Sequence, residues 1–76
     1  MAFYTDVLKE LRKDKKITQK DMARRFGISQ VAYSYYESGV RTIKIEMLMI
    51  LADELETSTD YILGRTSINK PYPKRK

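Results

Sequence analysis

The chain has 76 residues, a net charge of +5 at pH 7, and neither cysteine nor histidine. That length suffices for one small domain, and the missing residue types exclude disulfides, thiolate metal sites and the usual general base. We therefore expect no enzyme, no metal and no cofactor. No apolar run approaches the roughly 20 residues of a membrane span, and the first ten residues do not resemble a signal peptide, so we expect a cytoplasmic protein.

The charges are distributed unevenly along the chain. Residues 1–43 carry nine Lys or Arg against five acids, residues 44–64 one Lys against five acids, and residues 65–76 five bases and no acid. A basic surface favours a polyanionic partner, although a charge of this size also occurs on proteins whose charges are merely solvated. We expect residues 1–66 to form one domain and residues 67–76 to form a basic tail that is flexible unless bound.

The first half of the domain contains two predicted helices. Apolar residues at helical spacing predict helix one from about Tyr4 or Asp6 to Asp14. After a polar break, Thr18 is the expected N-cap of helix two, and Asp21 stands where a capping box needs an acceptor. Gly27 is expected to end helix two in the left-handed conformation.

Helix three has two different faces. Ser29 is its expected N-cap, and the helix should run to about Glu37 or Ser38 before Gly39 ends it. Two tyrosines three positions apart should face inward, namely Tyr33 and Tyr36. The opposite side should present four residues to solvent: Gln30, Val31, Ser34 and Tyr35.

The stretch "IEMLMILADEL" predicts helix four as the spine of the core. Its expected buried face comprises Ile45, Leu48, Leu51 and Leu55, widened by Met47, Met49 and Ile50. A short helix five should begin at Ser58 or Thr59 and end at Gly64, with Tyr61 and Leu63 either in the core or in a dimer contact. Five short helices joined by tight loops, without any alternating strand pattern, indicate an all-α domain.

Residues 18–39, "TQKDMARRFGISQVAYSYYESG", fit a helix-turn-helix. Two helices that cross steeply need a small residue at their contact, which Ala23 supplies, and a turn residue that tolerates positive φ, which Gly27 supplies. The outer face of the second helix would then meet DNA. Gln30 can bond adenine bidentately, Val31 can pack on a thymine methyl, and Tyr35 can reach a base edge or a phosphate.

The whole pattern from Phe3 to about Arg65, including the terminal "STDYILG", resembles the DNA-binding domain of the phage repressor and Cro (XRE-like) family. The resemblance implies a compact five-helix bundle of the lambda-repressor type, encoded by a bacterium or phage. Such a domain binds double-stranded operator DNA, usually as a homodimer, and regulates transcription, here as an expected repressor without a small-molecule ligand. A different class of function also stays open, namely an antitoxin-like protein-interaction module built on the same fold, in which the tail binds a partner protein.

The resemblance also implies roles for individual residues. Base contacts fall on Gln30, Val31 and Tyr35. Contacts to the DNA backbone fall on Thr18, Gln19, Ser34, Arg41 and Lys44. Arg12 and Glu37 match a pair that forms a buried salt bridge between helix one and the end of helix three.

The chain departs from the family pattern at several positions. Tyr33 stands where Ile or Val is usual, which requires a roomier core, and Lys16 stands where glycine often ends helix one. Lys44 follows Ile43 in place of a common Pro-Ser, so the start of helix four lacks an obvious cap. The outward face of helix three carries no Lys or Arg, which argues against a G-rich site.

Overall fold

A computed structural model describes residues 3–73 of the chain. Within that range the chain forms five α-helices and no strand, as the sequence predicts. The helices are α1 (Phe3–Asp14), α2 (Gln19–Phe26), α3 (Gln30–Ser38), α4 (Ile45–Glu54) and α5 (Thr59–Ile62). Residues 74–76, which complete the predicted basic tail, lie outside the described residues.

Side-chain caps set where the helices begin. The Thr18 hydroxyl accepts a hydrogen bond from the Asp21 backbone N–H at 3.0 Å, and the Asp21 carboxylate accepts one from the Thr18 N–H at 3.4 Å. This confirms the predicted capping box. Ser29 caps α3 and Ser58 caps α5 in the same way, whereas Lys44 precedes α4 without a side-chain cap. Each cap stabilises its helix by about 1 kcal/mol.

Left-handed residues set where the helices end. Gly27 has a φ of 67°, as predicted, and Gly39, which was predicted only to end α3, has a φ of 86°. Lys16 also adopts a positive φ of 58°, at the position where the resemblance led us to expect glycine more often. Because lysine has a Cβ, this conformation costs roughly 1 kcal/mol.

All five helices contribute to one small core. Helix α2 packs on α3, α3 packs on α1, and both α1 and α4 pack on α5. The buried apolar residues are Leu8, Leu11, Met22, Ala23, Tyr33, Leu51, Ala52, Leu55 and Ile62. Ala23 and Tyr33 lie on the facing sides of α2 and α3, so the core itself fixes how the helix-turn-helix is held.

The prediction for α4 was wrong at three positions. Ile45 is 75% exposed, Met49 56% and Ile50 45%, although we expected all three in the core. Helix α5 is the helix against which α4 mainly packs, so only a narrow strip of α4 is covered. Leu51 and Leu55 are buried, and Met47 and Leu48 pack half-buried against the core, as predicted.

Candidate nucleic-acid interface

Helix α3 presents an uncharged outer face. Gln30 is exposed, Val31 is 60% exposed and Tyr35 one turn later is 40% exposed, so the three predicted base-reading residues point to solvent. The only acid of α3 is Glu37, which is buried. The face therefore offers an amide, methyl groups and a phenol, which are groups that read base edges in a major groove.

The inner face of α3 is anchored by an aromatic contact. Tyr33 is 1% exposed and stacks on Phe26 of α2, with ring centroids 6.5 Å apart and planes at 16°. Burial raises the pKa of Tyr33, so its phenol stays neutral. Tyr36 is half-buried, in keeping with its predicted inward orientation. The stack holds α3 against α2, whose Ala23 is buried in the same core, while the outer face of α3 stays open.

A buried ion pair joins α1 to the last turn of α3. Arg12 donates from Nε to Glu37 Oε2 and from Nη2 to Oε1, both at 2.9 Å. Its third donor, Nη1, bonds the Ile17 carbonyl at 2.6 Å. The expected Arg12–Glu37 pair is therefore present and bidentate. Burial alone would raise the pKa of Glu37, but the hydrogen bonds that it accepts outweigh burial and lower it.

Gln19 connects the start of α2 to the same carboxylate. Its side-chain amide donates to Glu37 Oε1 at 3.3 Å. The sequence predicted Gln19 only as a contact to the DNA backbone, and nothing in its spacing indicated this second bond. Because an amide nitrogen has two hydrogens, the second N–H remains available to a phosphate while the first orients the side chain.

The two predicted hydroxyl contacts to the DNA backbone differ in what they already bond. The Ser34 hydroxyl donates to the Val31 carbonyl at 2.6 Å, so it would have to rotate away from Val31 to donate to a phosphate. The Thr18 hydroxyl accepts a hydrogen bond from the Asp21 N–H in the cap of α2, so its own hydrogen can still be donated. The backbone N–H groups at the start of α2 are further donors for a phosphate there.

Basic side chains flank the open face. The Arg41 guanidinium lies over the Tyr35 ring, 5.7 Å from its centroid, and Lys44 is exposed at the start of α4. Lys9 of α1 was missed by the sequence analysis. It lines a hollow of about 260 Å³ together with Gln19 and Tyr35. Lys9 lies three positions before Arg12 on α1, and this spacing was the available signal that it faces the same side.

The described part of the tail returns to the domain around Tyr72. The Tyr72 hydroxyl donates to the Asp60 carboxylate at 3.0 Å, and residues 71–73 lie along a cleft that Met49 and Ala52 also line. Nothing in the sequence predicted this contact between Tyr72 and Asp60. Tyr72 remains 59% exposed, so the contact covers only part of its ring.

Residues 3–73 contain no group of three or more acids positioned to hold a metal ion. None of the helices in this range is long and apolar enough to cross a membrane.

Comparison with known proteins identifies relatives of this chain. The profile of a family described as "Helix-turn-helix" matches residues 8–62. The chain is 38% identical over 69 residues to the uncharacterized HTH-type transcriptional regulator YqaE of Bacillus subtilis, covering 91% of this chain and 60% of YqaE. No solved structure matches the chain significantly.

Two other relatives differ in their biological setting. The cryptic phage CTXphi transcriptional repressor RstR of Vibrio cholerae is 46% identical over 48 residues, covering 63% of this chain and 43% of RstR. The antitoxin PezA of Streptococcus pneumoniae is 33% identical over 64 residues, covering 84% of this chain and 40% of PezA. The chain thus spans about three fifths of the length of YqaE and less of the other two.

Proposed function

The chain belongs to the helix-turn-helix family, and from this premise we propose that it is a sequence-specific DNA-binding regulator that represses transcription by occupying an operator. The proposal rests on the exposure of the outer face of α3. Gln30, Val31 and Tyr35 are exposed on it together, while the opposite face is held by the buried Arg12–Glu37 pair.

In the proposed complex, α3 enters the major groove with its first turn leading. Gln30 bonds the N6 and N7 atoms of an adenine, and Val31 packs against the methyl group of a thymine. Tyr35, one turn later, meets the next base pairs or the sugar-phosphate edge. An uncharged reading face suits A·T-containing steps, because bidentate recognition of guanine commonly uses Arg or Lys.

Residues around α3 supply the contacts to the DNA backbone. We assign phosphate contacts to the N-terminus of α2 at Thr18 and Gln19, to Ser34 after rotation of its hydroxyl, and to Arg41 and Lys44. Lys9 joins them, because it is exposed and lines the same hollow as Gln19 and Tyr35. Each phosphate neutralised by a cation releases counterions, so the affinity should fall steeply with salt.

We propose that two copies bind together as a homodimer. Ile45 and Met49 lie one turn apart on α4 and are 75% and 56% exposed, so this apolar strip is mostly open to solvent, although Met49 also lines the cleft along which residues 71–73 lie. A two-fold contact that buries this strip would join two copies, and the two α3 helices of the dimer would have to reach half-sites about 34 Å apart. Residues 1–66 form the binding domain in this proposal, and the basic tail adds sequence-independent affinity.

Selection of bound sites from random duplex DNA tests the proposal. The purified chain should enrich a two-fold symmetric motif, and its affinity for that motif should drop steeply between 50 and 200 mM salt, by about 10³-fold or more for six or more phosphate contacts. Equal recovery of all sequences, or binding indifferent to salt, would contradict it.

The similarity to the antitoxin PezA favours a second candidate, in which the same fold also binds a partner protein. The cleft beside Met49, along which residues 71–73 lie, is the described surface nearest to such a role. Deletion of residues 67–76 separates the two candidates. A regulator that acts through DNA alone keeps its selected motif after the deletion, whereas an antitoxin-like module loses capture of its partner.

A further inference from the structure

The loop after α3 turns back onto the helix that it follows. Gly39 adopts a left-handed conformation, with a φ of 86°, and this reverses the chain. Two residues later the Arg41 backbone N–H donates to the Tyr35 carbonyl at 3.0 Å. Arg41 is thereby anchored beside the last turn of α3 rather than extending into solvent.

The side chains of the same two residues are also in contact. The Arg41 guanidinium carbon lies 5.7 Å from the centroid of the Tyr35 ring, within the range of a cation–π interaction. Because Tyr35 is 40% exposed, part of its ring remains open to a ligand. An exposed tyrosine samples several rotamers, and a planar cation against the ring restricts that sampling.

We propose that Arg41 is a positioning residue for Tyr35, so that the two side chains contact DNA as one unit. The guanidinium faces a backbone phosphate and at the same time holds the phenol toward the neighbouring base pair. This inference rests on the proposed function and deepens it, since it assigns to Arg41 an effect on base preference as well as on affinity. Lys44, three residues later, has no such contact and should affect affinity alone.

Site selection from random duplexes with four variants tests this role. Tyr35→Ala first identifies the base pair whose preference depends on the ring. Arg41→Lys then keeps the positive charge but loses the planar group that stacks, and Lys44→Gln serves as the matched control that removes a charge without touching Tyr35. The fourth variant combines Tyr35→Ala with Arg41→Lys. Thermal unfolding by circular dichroism verifies that each variant is folded.

The expected result is specific to one position of the selected motif. Arg41→Lys should reduce discrimination at the Tyr35-dependent base pair by up to about two- to fivefold, the range of an exposed cation–π contact, because a lysine ammonium keeps the charge but not the planar stacking group. The salt dependence of binding should stay unchanged. The double variant should lose no more discrimination there than Tyr35→Ala alone, because both changes remove the same unit. Lys44→Gln should weaken all sequences alike.

Three outcomes would overturn the inference while leaving the proposed function standing. They are an unchanged motif with Arg41→Lys, a loss of preference at a different base pair, and a motif that Tyr35→Ala does not alter. If the unmodified chain enriches no motif, the proposed function fails and the inference fails with it.

Discussion

Arg12 holds both carboxylate oxygens of Glu37 across a sequence separation of 25 residues. The side chains are 9% and 1% exposed, so the pair is buried where α1 meets the end of α3. Gln19 donates to the same carboxylate from the start of α2. One carboxylate therefore ties together the helix that would read bases and the helix whose N-terminus would hold a phosphate.

Removing one partner of this pair should destabilise the domain strongly. Arg12→Met leaves the Glu37 carboxylate buried without its main donor, which should lower the free energy of unfolding by about 3–5 kcal/mol. Urea unfolding followed by circular dichroism measures the change. The double variant Arg12→Met with Glu37→Leu should regain most of that stability, because an apolar pair leaves no charge buried. Equal losses in the single and double variants would contradict this account of the pair.

The pair should also make stability depend on pH in the acid range. The pKa of Glu37 is lowered in the folded state from an ordinary value of 4.5, so its contribution is complete above that pH and is lost as the pH falls through the lowered pKa. The hydrogen bonds to Glu37 raise the pKa of Arg12, which stays protonated throughout this range.

Thermal unfolding between pH 7 and pH 2 measures this effect. Asp21 and Glu56 also have lowered pKa values and lose stabilising contacts in the same range. Glu37→Gln serves as the reference, since it should be less stable at pH 7 and show a shallower decline in acid than the unmodified chain. Parallel curves for the two proteins would exclude Glu37 as a source of the pH dependence.

Base contacts and phosphate contacts should respond differently to substitution. Gln30→Ala should reduce discrimination at one base pair by about 1–3 kcal/mol, because an adenine there loses its bidentate partner. Lys9→Ala should instead weaken binding to all duplexes alike and reduce the salt slope by about one unit. Fluorescence anisotropy with the selected site and a scrambled duplex measures both. Loss of base preference with Lys9→Ala would reverse the two assignments.

Gly27 should be required for its backbone conformation and not for space. A Cβ placed there meets nothing within 4 Å, yet φ is +67°. Gly27→Ala should therefore destabilise the domain by about 1–2 kcal/mol through backbone strain alone. Gly27→Asn should lose less, because asparagine tolerates the left-handed region better. Urea unfolding compares the two, and equal losses would argue against backbone strain as the cause.

The exposed strip on α4 should affect assembly more than folding. Ile45→Ser combined with Met49→Ser removes apolar groups that are already largely in solvent, so thermal stability should change by less than about 0.5 kcal/mol per site. If the strip is the dimer contact, sedimentation on a two-half-site duplex should show one copy bound where the unmodified chain shows two. Ile50→Ser on another part of α4 is the control. Unchanged stoichiometry would place the contact elsewhere.

Local signals in the sequence were sufficient for both ends of α2 and for the start of α3. Thr18 with Asp21, the cap at Ser29 and the stop at Gly27 all act over three or four residues, so their effect can be read without knowing the fold. The orientation of α3 also followed from spacing, since Tyr33 and Tyr35 fall on opposite sides of a helix. The family pattern added the Arg12–Glu37 pair, which no local rule indicates.

Contacts between distant segments decided the rest. Helical spacing placed Ile45 and Met49 among core residues, but burial needs a second surface, and α5 covers only a narrow strip of α4. The bond from Gln19 to Glu37 and the contact of Arg41 with Tyr35 arise because separate turns return the chain to α3. The amino-acid sequence alone determined which residues form helices and which face of α3 is polar, because caps and periodicity act within a turn or two. Only the tertiary packing decided which apolar residues are covered and which polar groups bond to each other, because both depend on residues that are far away in the chain.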